Sequence, residues 1–382
     1  MNEWVWTIPL VFWLVMLLLP WQPWRNRESL TVVNPATHAD LSDISVIIPA
    51  RNEASQITRT LEALAEQGEN LHVIVVDDQS QDDTASLARS FQDLDLTVID
   101  GQPLLKGWTG KLWALQQGIA AIDRPITVLL DADITLASGV LVKLRDKMQH
   151  QKLALVSVMA QLSMRTYWEK LLLPAFIYYF KQLYPFALSN SPRVKFVAAA
   201  AGGCIMMKSA TLKAIGGFAG IKATLIDDCA LARRVKQKGY TTWLGLTRDV
   251  HSHRPYGSLG PIWEMVSRTA FHQLKYSLSL LLIVTAIFLT IYALPWLGLF
   301  SNSTFGQTSA ALSLAIMMAM YFPTLRYYRL SPVWCLAVPL IALLYLAMTW
   351  SSAIAHWTGG GKGWRGRRYN NSGDAEVRTL IG

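Results

Sequence analysis

Two aspartates one residue apart, Asp131-Ala-Asp133, follow the apolar run Ile126-Thr-Val-Leu-Leu130. In an extended chain, side chains two apart point the same way. The carboxylates then face one point and repel unless a cation lies between them. Mg²⁺ or Mn²⁺ suits that place, being a hard ion that takes oxygen ligands and bridges carboxylates to phosphates. Such an ion neutralises a phosphate leaving group as the bond to it breaks. An isolated Asp-x-Asp is more often a helix cap beside a solvated carboxylate. This pair has company. Asp77 and Asp78 close a second apolar run, with Ser80, Asp82 and Thr84 after them, and Pro49-Ala-Arg-Asn-Glu53 closes a third. His251 and His253 have the alternate spacing of metal ligands, but a structural role at a strand end fits them better.

The elements that must position these groups are legible as β-branched runs. Residues 44–48, 73–76 and 126–130 are continuously apolar. That pattern marks strands buried on both faces of a parallel sheet. Helical stretches at 57–66, 84–91 and 112–121 separate them, so the chain reads as βαβ units. The expected class is α/β, with a doubly wound, mostly parallel sheet. Ligands of such sheets sit beyond the carboxyl ends of the strands. All three acidic clusters stand there.

The chain has 382 residues, 52% of them hydrophobic, and a net charge of +9. Its apolar excess is local: residues 4–24, 277–325 and 330–361 carry no charged side chain. Roughly 20 apolar helical residues cross a hydrocarbon core of about 30 Å. Crossings are expected near 4–21, 277–300, 307–323 and 332–352. Glu3 stands where a signal peptide carries positive charge, and no small-residue cleavage site follows Leu19. Trp21, Trp24, Arg25 and Arg27 instead match a retained helix meeting the cytoplasmic face. The expected division is an anchor at 1–24, a soluble domain at 25–276, spans at 277–356 and a basic tail at 357–382. Within the domain, 44–149 form one half and 150–276 the other.

Charge divides along the same line. Residues 25–149 hold 11 Lys and Arg against 18 Asp and Glu, while 150–275 hold 17 against 5. A basic half that leads into membrane spans calls for anionic lipid rather than nucleic acid. The apolar stretch 168–190, interrupted by Lys and Pro and bordered by Tyr and Trp, reads as helices lying in the interface. Three cysteines far apart make neither a disulfide framework nor a zinc spacing, which fits a reducing compartment. Together these features imply a multi-pass protein of the cytoplasmic membrane with its soluble domain in the cytoplasm.

The run Val46-Ile-Ile-Pro-Ala-Arg-Asn-Glu53, then Val75-Val-Asp-Asp-Gln-Ser80, then Asp131-Ala-Asp133 resembles the nucleotide-binding half of family 2 inverting glycosyltransferases of GT-A fold. Gly202-Gly-Cys204 and the run from Ile226-Asp-Asp-Cys229 to Gly239-Tyr240 resemble their acceptor half. The likeness spans residues 44–240. Lys106-Gly-Trp-Thr-Gly-Lys111 and Trp364-Arg-Gly-Arg-Arg-Tyr369 are most similar to the hopanoid-biosynthesis-associated members. The resemblance implies that Pro49, Arg51 and Glu53 border base and ribose, with Asp77 and Asp78 at the base. It implies that Asp133 holds a divalent metal with Asp131 beside it, and that Lys111 meets the diphosphate. Asp227-Asp228 stands where the family has Glu-Asp, whose second acid is the general base, so Asp228 takes that role. The departure at Asp227 shortens its reach, and a helix cap is the alternative for the pair. Of a Gln-x-x-Arg-Trp element that holds diphosphate in membrane members, the segment from Met265 to Thr269 keeps only Arg268.

The activity implied is transfer of one sugar, with inversion, from a nucleotide diphosphate sugar such as a UDP-sugar to a lipid acceptor of hopanoid or isoprenoid type. The missing aromatic residue after Arg268 weighs against a processive polysaccharide synthase. Retention of Asp78, Asp131, Asp133 and Asp228 weighs against a non-catalytic nucleotide-sugar-binding scaffold.

Overall fold

The computed structural model describes residues 3–32 and 38–359, and the backbone of 362–364, 367–369 and 375–376. Most of the tail expected at 357–382, with Arg365, lies outside the described residues. The chain forms two compact units. One comprises 28–163, 188–254 and 361–382; the other comprises 1–27, 164–187 and 255–360.

The first unit is built on a nine-stranded sheet. Its strands are β1 Ser29–Leu30, β2 Ile44–Ala50, β3 His72–Asp77, β4 Asp95–Asp100, β5 Ile126–Leu130, β6 Ile134–Leu136, β7 Leu155–Gln161, β8 Cys204–Lys208 and β9 Thr242–Ser252. They lie in the order β1-β9-β7-β8-β5-β2-β3-β4, with β6 added on β9. Every adjacent pair on that path is parallel except those of β8, which runs antiparallel to both β5 and β7. The fold is thus α/β with a mostly parallel sheet. Continuous apolar runs became central strands: every residue of β2, β3 and β5 is buried. Alternate residues pack on opposite faces, with Val46, Ile48, Val73 and Val75 in one core and Ile47, Ile74 and Val76 in another. Helix Gly110–Gly118 lies close on the second face. A Cβ at Gly118 would stand 2.8 Å from the Ile47 side chain, so only glycine allows that approach.

Register gathers the acidic clusters. Ala50 pairs with Asp77 at the carboxyl ends of β2 and β3. The antiparallel β8 begins where β5 ends, Leu130 pairing with Cys204. Gly202 and Gly203 are thereby delivered beside Asp131, whose N–H donates to the Gly203 carbonyl at 3.1 Å.

The second unit is helical. Three of its helices are long and apolar enough to cross a membrane: Leu278–Gly298, Thr304–Tyr327 and Pro332–Trp357. The N-terminal apolar helix is Glu3–Leu18, shorter than the expected 4–21. It stops because Leu19 precedes Pro20 and takes extended geometry, ψ 131°, as residues before proline do. Its Trp13 is buried and donates Nε1–H to the Ile291 carbonyl at 2.9 Å.

The interfacial reading of 168–190 is corrected. Tyr167–Leu183 is one helix that continues through Pro174 and buries Leu171, Leu172, Leu173, Ile177 and Tyr178. Its partners lie in the same unit: Tyr178 packs edge-on to Tyr321 at 5.3 Å, and Tyr345 donates its hydroxyl to the Leu172 carbonyl at 2.8 Å. Protein rather than lipid covers this face. Residues 164–187 and 255–276, read from sequence as part of the soluble domain, accordingly belong to the unit of apolar helices. Glu169 begins the helix in a capping box with Thr166. Its buried carboxylate accepts N–H bonds from Arg165 and Thr166 on one oxygen and from Tyr256 and Gly257 on the other.

Candidate active site

Lys111 is the second residue of helix Gly110–Gly118, and its ammonium leaves the helix to meet carboxylates. Nζ lies 2.6 Å from Asp131 Oδ1 and 3.7 Å from Asp227 Oδ2. Burial alone would lower the lysine's pKa. The charges of Asp131, Asp227 and Asp228 outweigh it and hold the ammonium well above its ordinary range. Lys111 is therefore a fixed cation joining the end of β5 to the start of helix Asp227–Gln237, not a solvated lysine.

Asp228 is held by backbone N–H groups on both carboxylate oxygens. Its Oδ2 accepts the Gly202 N–H at 2.9 Å and its Oδ1 accepts the Cys229 N–H at 2.7 Å. Burial, then the charge of Asp227, push its pKa up to about 7, against the pull of those two N–H groups and of Lys111. A carboxyl poised near neutrality is suited to take and return a proton. Ile226, not an aspartate, occupies the N-cap, and it makes no side-chain cap. Both acids are instead in the first turn, where the helix dipole favours negative charge. Gly202 lies over this group: a Cβ there would touch Asp228 Oδ2 and Lys111 Nζ, each at 3.4 Å. Pro49, Lys111, Asp131, Gly202, Asp227 and Asp228 line one pocket.

The extended-chain expectation for Asp131 and Asp133 is corrected. The chain turns at Ala132 and Asp133, and the Ile134 N–H returns to the Asp131 carbonyl at 3.1 Å. The two carboxylates remain electrostatically coupled. Burial raises the pKa of Asp131, Lys111 opposes, and the charge of Asp133 raises it further. No cluster of three or more His, Cys, Asp or Glu suited to a metal occurs among the described residues. Two neighbouring carboxylates nonetheless meet the usual protein share for Mg²⁺, which takes one or two, with phosphate oxygens and water completing the shell. His253 supports this turn: its N–H donates to the Asp133 carbonyl at 3.0 Å, and its ring bonds Thr135. His251 pairs with Thr135 across β9 and β6. Both histidines stand at the end of β9.

The remaining acids form a second group at the ends of β2 and β3. Arg51 is buried and donates Nη1–H to the carbonyls of Asp78 and Gln79. The Glu53 N–H reaches Thr84 Oγ1 at 2.8 Å, so the loops at 49–53 and 77–84 are stitched together. Asp78 is fully buried. Asp77 accepts the Ser80 N–H on Oδ2 at 3.1 Å, while its buried Oδ1 has no hydrogen-bond partner among the described residues. Arg268 lies in helix Leu259–Gln273 of the other unit.

Two supports escaped the sequence reading. Ser157 Oγ both accepts from the Ala201 N–H at 2.8 Å and donates to its carbonyl at 3.1 Å, fixing the approach to Gly202. Lys236 is buried among four backbone carbonyls. A signal for it existed: Lys236 follows Ala232 by four and Cys229 by seven, on the buried stripe of its helix.

Residues 45–216 match the model of the glycosyl transferase family 2. That model covers the chain from β2 to just past β8. The 4,4'-diaponeurosporenoate glycosyltransferase of Staphylococcus haemolyticus (strain JCSC1435) is 36% identical over 96 residues, 24% of each chain. Its namesake in Staphylococcus aureus (strain USA300) is 36% identical over 92 residues, again 24% of each. The match spans about a quarter of the length of these curated relatives. The mannosyltransferase PcManGT from Pyrobaculum calidifontis, solved in complex with GDP-Man and Mn²⁺, aligns over 93% of this chain and 99% of its own. Its TM-score is 0.54 at 19% identity, a likeness of fold. The α/β unit of this chain has a fold of GT-A type.

Proposed function

We propose that this protein transfers a single sugar, with inversion, from a nucleotide diphosphate sugar to a lipid acceptor at the cytoplasmic membrane. The observation that carries the reading is Asp228, held by two backbone N–H groups with its pKa near 7, beside the Lys111–Asp131 pair in one pocket. Asp228 takes the proton of an acceptor hydroxyl as its oxygen bonds to the anomeric carbon. The bond from that carbon to the diphosphate oxygen breaks, and the nucleoside diphosphate leaves with the electron pair. Lys111 offers a cation to the departing diphosphate, and Asp227 shapes the field at the base.

Asp133, with Asp131, would hold a divalent ion, Mg²⁺ or Mn²⁺. That ion supplies charge neutralisation at the diphosphate. PcManGT, of similar fold, was solved with Mn²⁺. Pro49, Arg51, Glu53, Asp77 and Asp78 would border the nucleoside. The buried, unpartnered Oδ1 of Asp77 suits the imide N–H of a uracil, which supports a UDP-sugar. Arg268 would add a bidentate phosphate contact.

The lipid acceptor, of isoprenoid or hopanoid type, is supported by relatives named for a carotenoid acid and by three helices suited to a membrane. The test is incubation of the full chain in proteoliposomes with UDP-sugars and an isoprenoid lipid extract, followed by mass spectrometry of the lipids. A hexose-mass adduct dependent on Asp228 is expected. Its absence with every nucleotide sugar would refute the reading.

A further inference from the structure

We propose that the loop 191–196 is a lipid-docking spike. It sets the Phe196 ring into an anionic membrane surface, with Arg193 and Lys195 on the headgroups. The inference rests on the membrane reading above and names the element of the glycosyltransferase domain that meets the lipid.

Phe196 is 80% exposed, an unfavourable state for an aromatic ring in water. Arg193 and Lys195 are exposed beside it, and neither forms an ion pair with a described residue. Residues 170–226 contain seven Lys and Arg and no acid, so nothing local in the sequence competes for these cations. A flexible loop would lay such a ring back on the protein. This one is clamped at its base. Lys236 Nζ donates to the carbonyls of Ser189 at 2.6 Å, Val194 at 2.8 Å and Val197 at 2.7 Å, gathering both ends of the loop on one ammonium. Asn190 exchanges two hydrogen bonds with the Leu244 backbone, at 2.9 and 2.7 Å. Ser189 Oγ accepts the Ala199 N–H at 3.0 Å. The tip is thus presented rather than loose.

One exposed aromatic ring flanked by two cations fits the boundary of headgroups and acyl chains. An acidic protein partner would need apolar surface of its own to cover the ring. A bilayer is at hand, because the same chain carries three helices able to cross one. Past the spike the chain runs through buried Ala198, Ala199 and Ala200 to Gly202, whose N–H holds Asp228. The spike and the N–H that holds the base therefore lie on one continuous segment, and a hydroxyl at headgroup depth is offered to the base beside the loop that touches the lipid.

The test uses the full chain in proteoliposomes of phosphatidylcholine and phosphatidylglycerol. Phe196→Cys is labelled with bimane, the three native cysteines being buried, and Ser90→Cys serves as an exposed control. Nitroxide-bearing lipids should quench the label at 196 and leave that at 90 bright, while aqueous iodide does the reverse. Each cation near an anionic surface is worth about fivefold. Replacing Arg193 and Lys195 together by glutamine should shift the docked-to-free ratio by about 25-fold, and omission of phosphatidylglycerol should do the same. If the protein floats with the vesicles but the label at 196 answers iodide and not lipid nitroxide, the spike is refuted and the membrane reading stands. If the protein fails to float, both fall.

Discussion

Asp228→Asn removes the proton acceptor while keeping the size of the side chain. In the wild type each carboxylate oxygen accepts one backbone N–H, from Gly202 at 2.9 Å and from Cys229 at 2.7 Å. The amide retains one acceptor oxygen, so one N–H loses its partner, at a cost of about 1–3 kcal/mol where it is shielded from water. Against this, the substitution removes a charge that burial and Asp227 disfavour. A carboxyl raised from about 4 when unfolded to about 7 when folded withdraws stability as pH rises through that window. The variant lacks this loss, so its stability relative to wild type should improve between pH 4 and 7 and change little beyond. The rate should behave quite differently. Loss of a positioned base costs about 10²–10⁴-fold, whereas UDP affinity depends on other residues. Single-turnover transfer in proteoliposomes, with donor affinity and melting temperature measured in parallel, separates the effects. Wild-type rate should rise with pH to a plateau above about 7, where Asp228 is ionised, and the residual rate of the variant should lack that step. A variant within about tenfold of wild type, or one that loses donor binding in step with rate, would refute the assignment.

Lys111→Met removes a cation that lowers the pKa of Asp228, so the ascending limb of the pH–rate profile should move to higher pH; an unmoved limb refutes the coupling. Asp133→Asn should abolish the gain in UDP affinity on adding Mn²⁺, measured by calorimetry with and without the ion; an undiminished gain removes Asp133 from the metal site. Glu169→Gln keeps one acceptor oxygen where the carboxylate serves four N–H groups. Two donors then lose their partner, at about 1–3 kcal/mol each, and the melting temperature should fall. Burial raises the pKa of Glu169, but those N–H groups outweigh it and hold the carboxyl below its ordinary value. The stability it confers is complete above that value and lost as pH falls through the lower folded one. A variant that melts with wild type at neutral pH would refute this role.

Strands β2, β3 and β5 of the sheet were legible because their signals are local. Ile44–Ala50, His72–Asp77 and Ile126–Leu130 are β-branched strands buried on both faces, and their carboxyl ends carry the acids within a few residues. The β4 strand, Asp95–Asp100, escaped notice: as an edge strand it alternates exposed and covered residues and ends in acids. The stretch 168–190 misled because its lysines and tyrosines read as an interface. Buried Lys181 instead donates to the Arg25 carbonyl at 3.1 Å, a contact 156 residues away in sequence that no periodicity reveals. Asp131-Ala-Asp133 misled in a smaller way, since strand alternation stops where the chain turns. The acids that hold Lys111 lie 20 and 116 positions onward, beyond the reach of any local pattern.

What no local pattern encodes is the antiparallel strand β8, on which the site depends. Were the strand beside β5 parallel to it, its amino end would lie at the far edge of the sheet, and Gly202 would stand away from Asp131. Reversed, β8 starts where β5 stops, with Leu130 opposite Cys204 and the Asp131 N–H on Gly203. The segment before it must then pass over the strand ends, and it uses Gly202 where a side chain would crowd Lys111 and Asp228, and Gly203 where one would crowd Ile134. Helix Asp227–Gln237 fixes that same segment at two places. Asp228 takes the Gly202 N–H at its first turn, and Lys236 collects the carbonyls of 188–197 near its last. Base, glycine turn and exposed loop are therefore set by one helix and one reversed strand. A change at Lys236 should reach Asp228 through the chain between them, without touching the pocket.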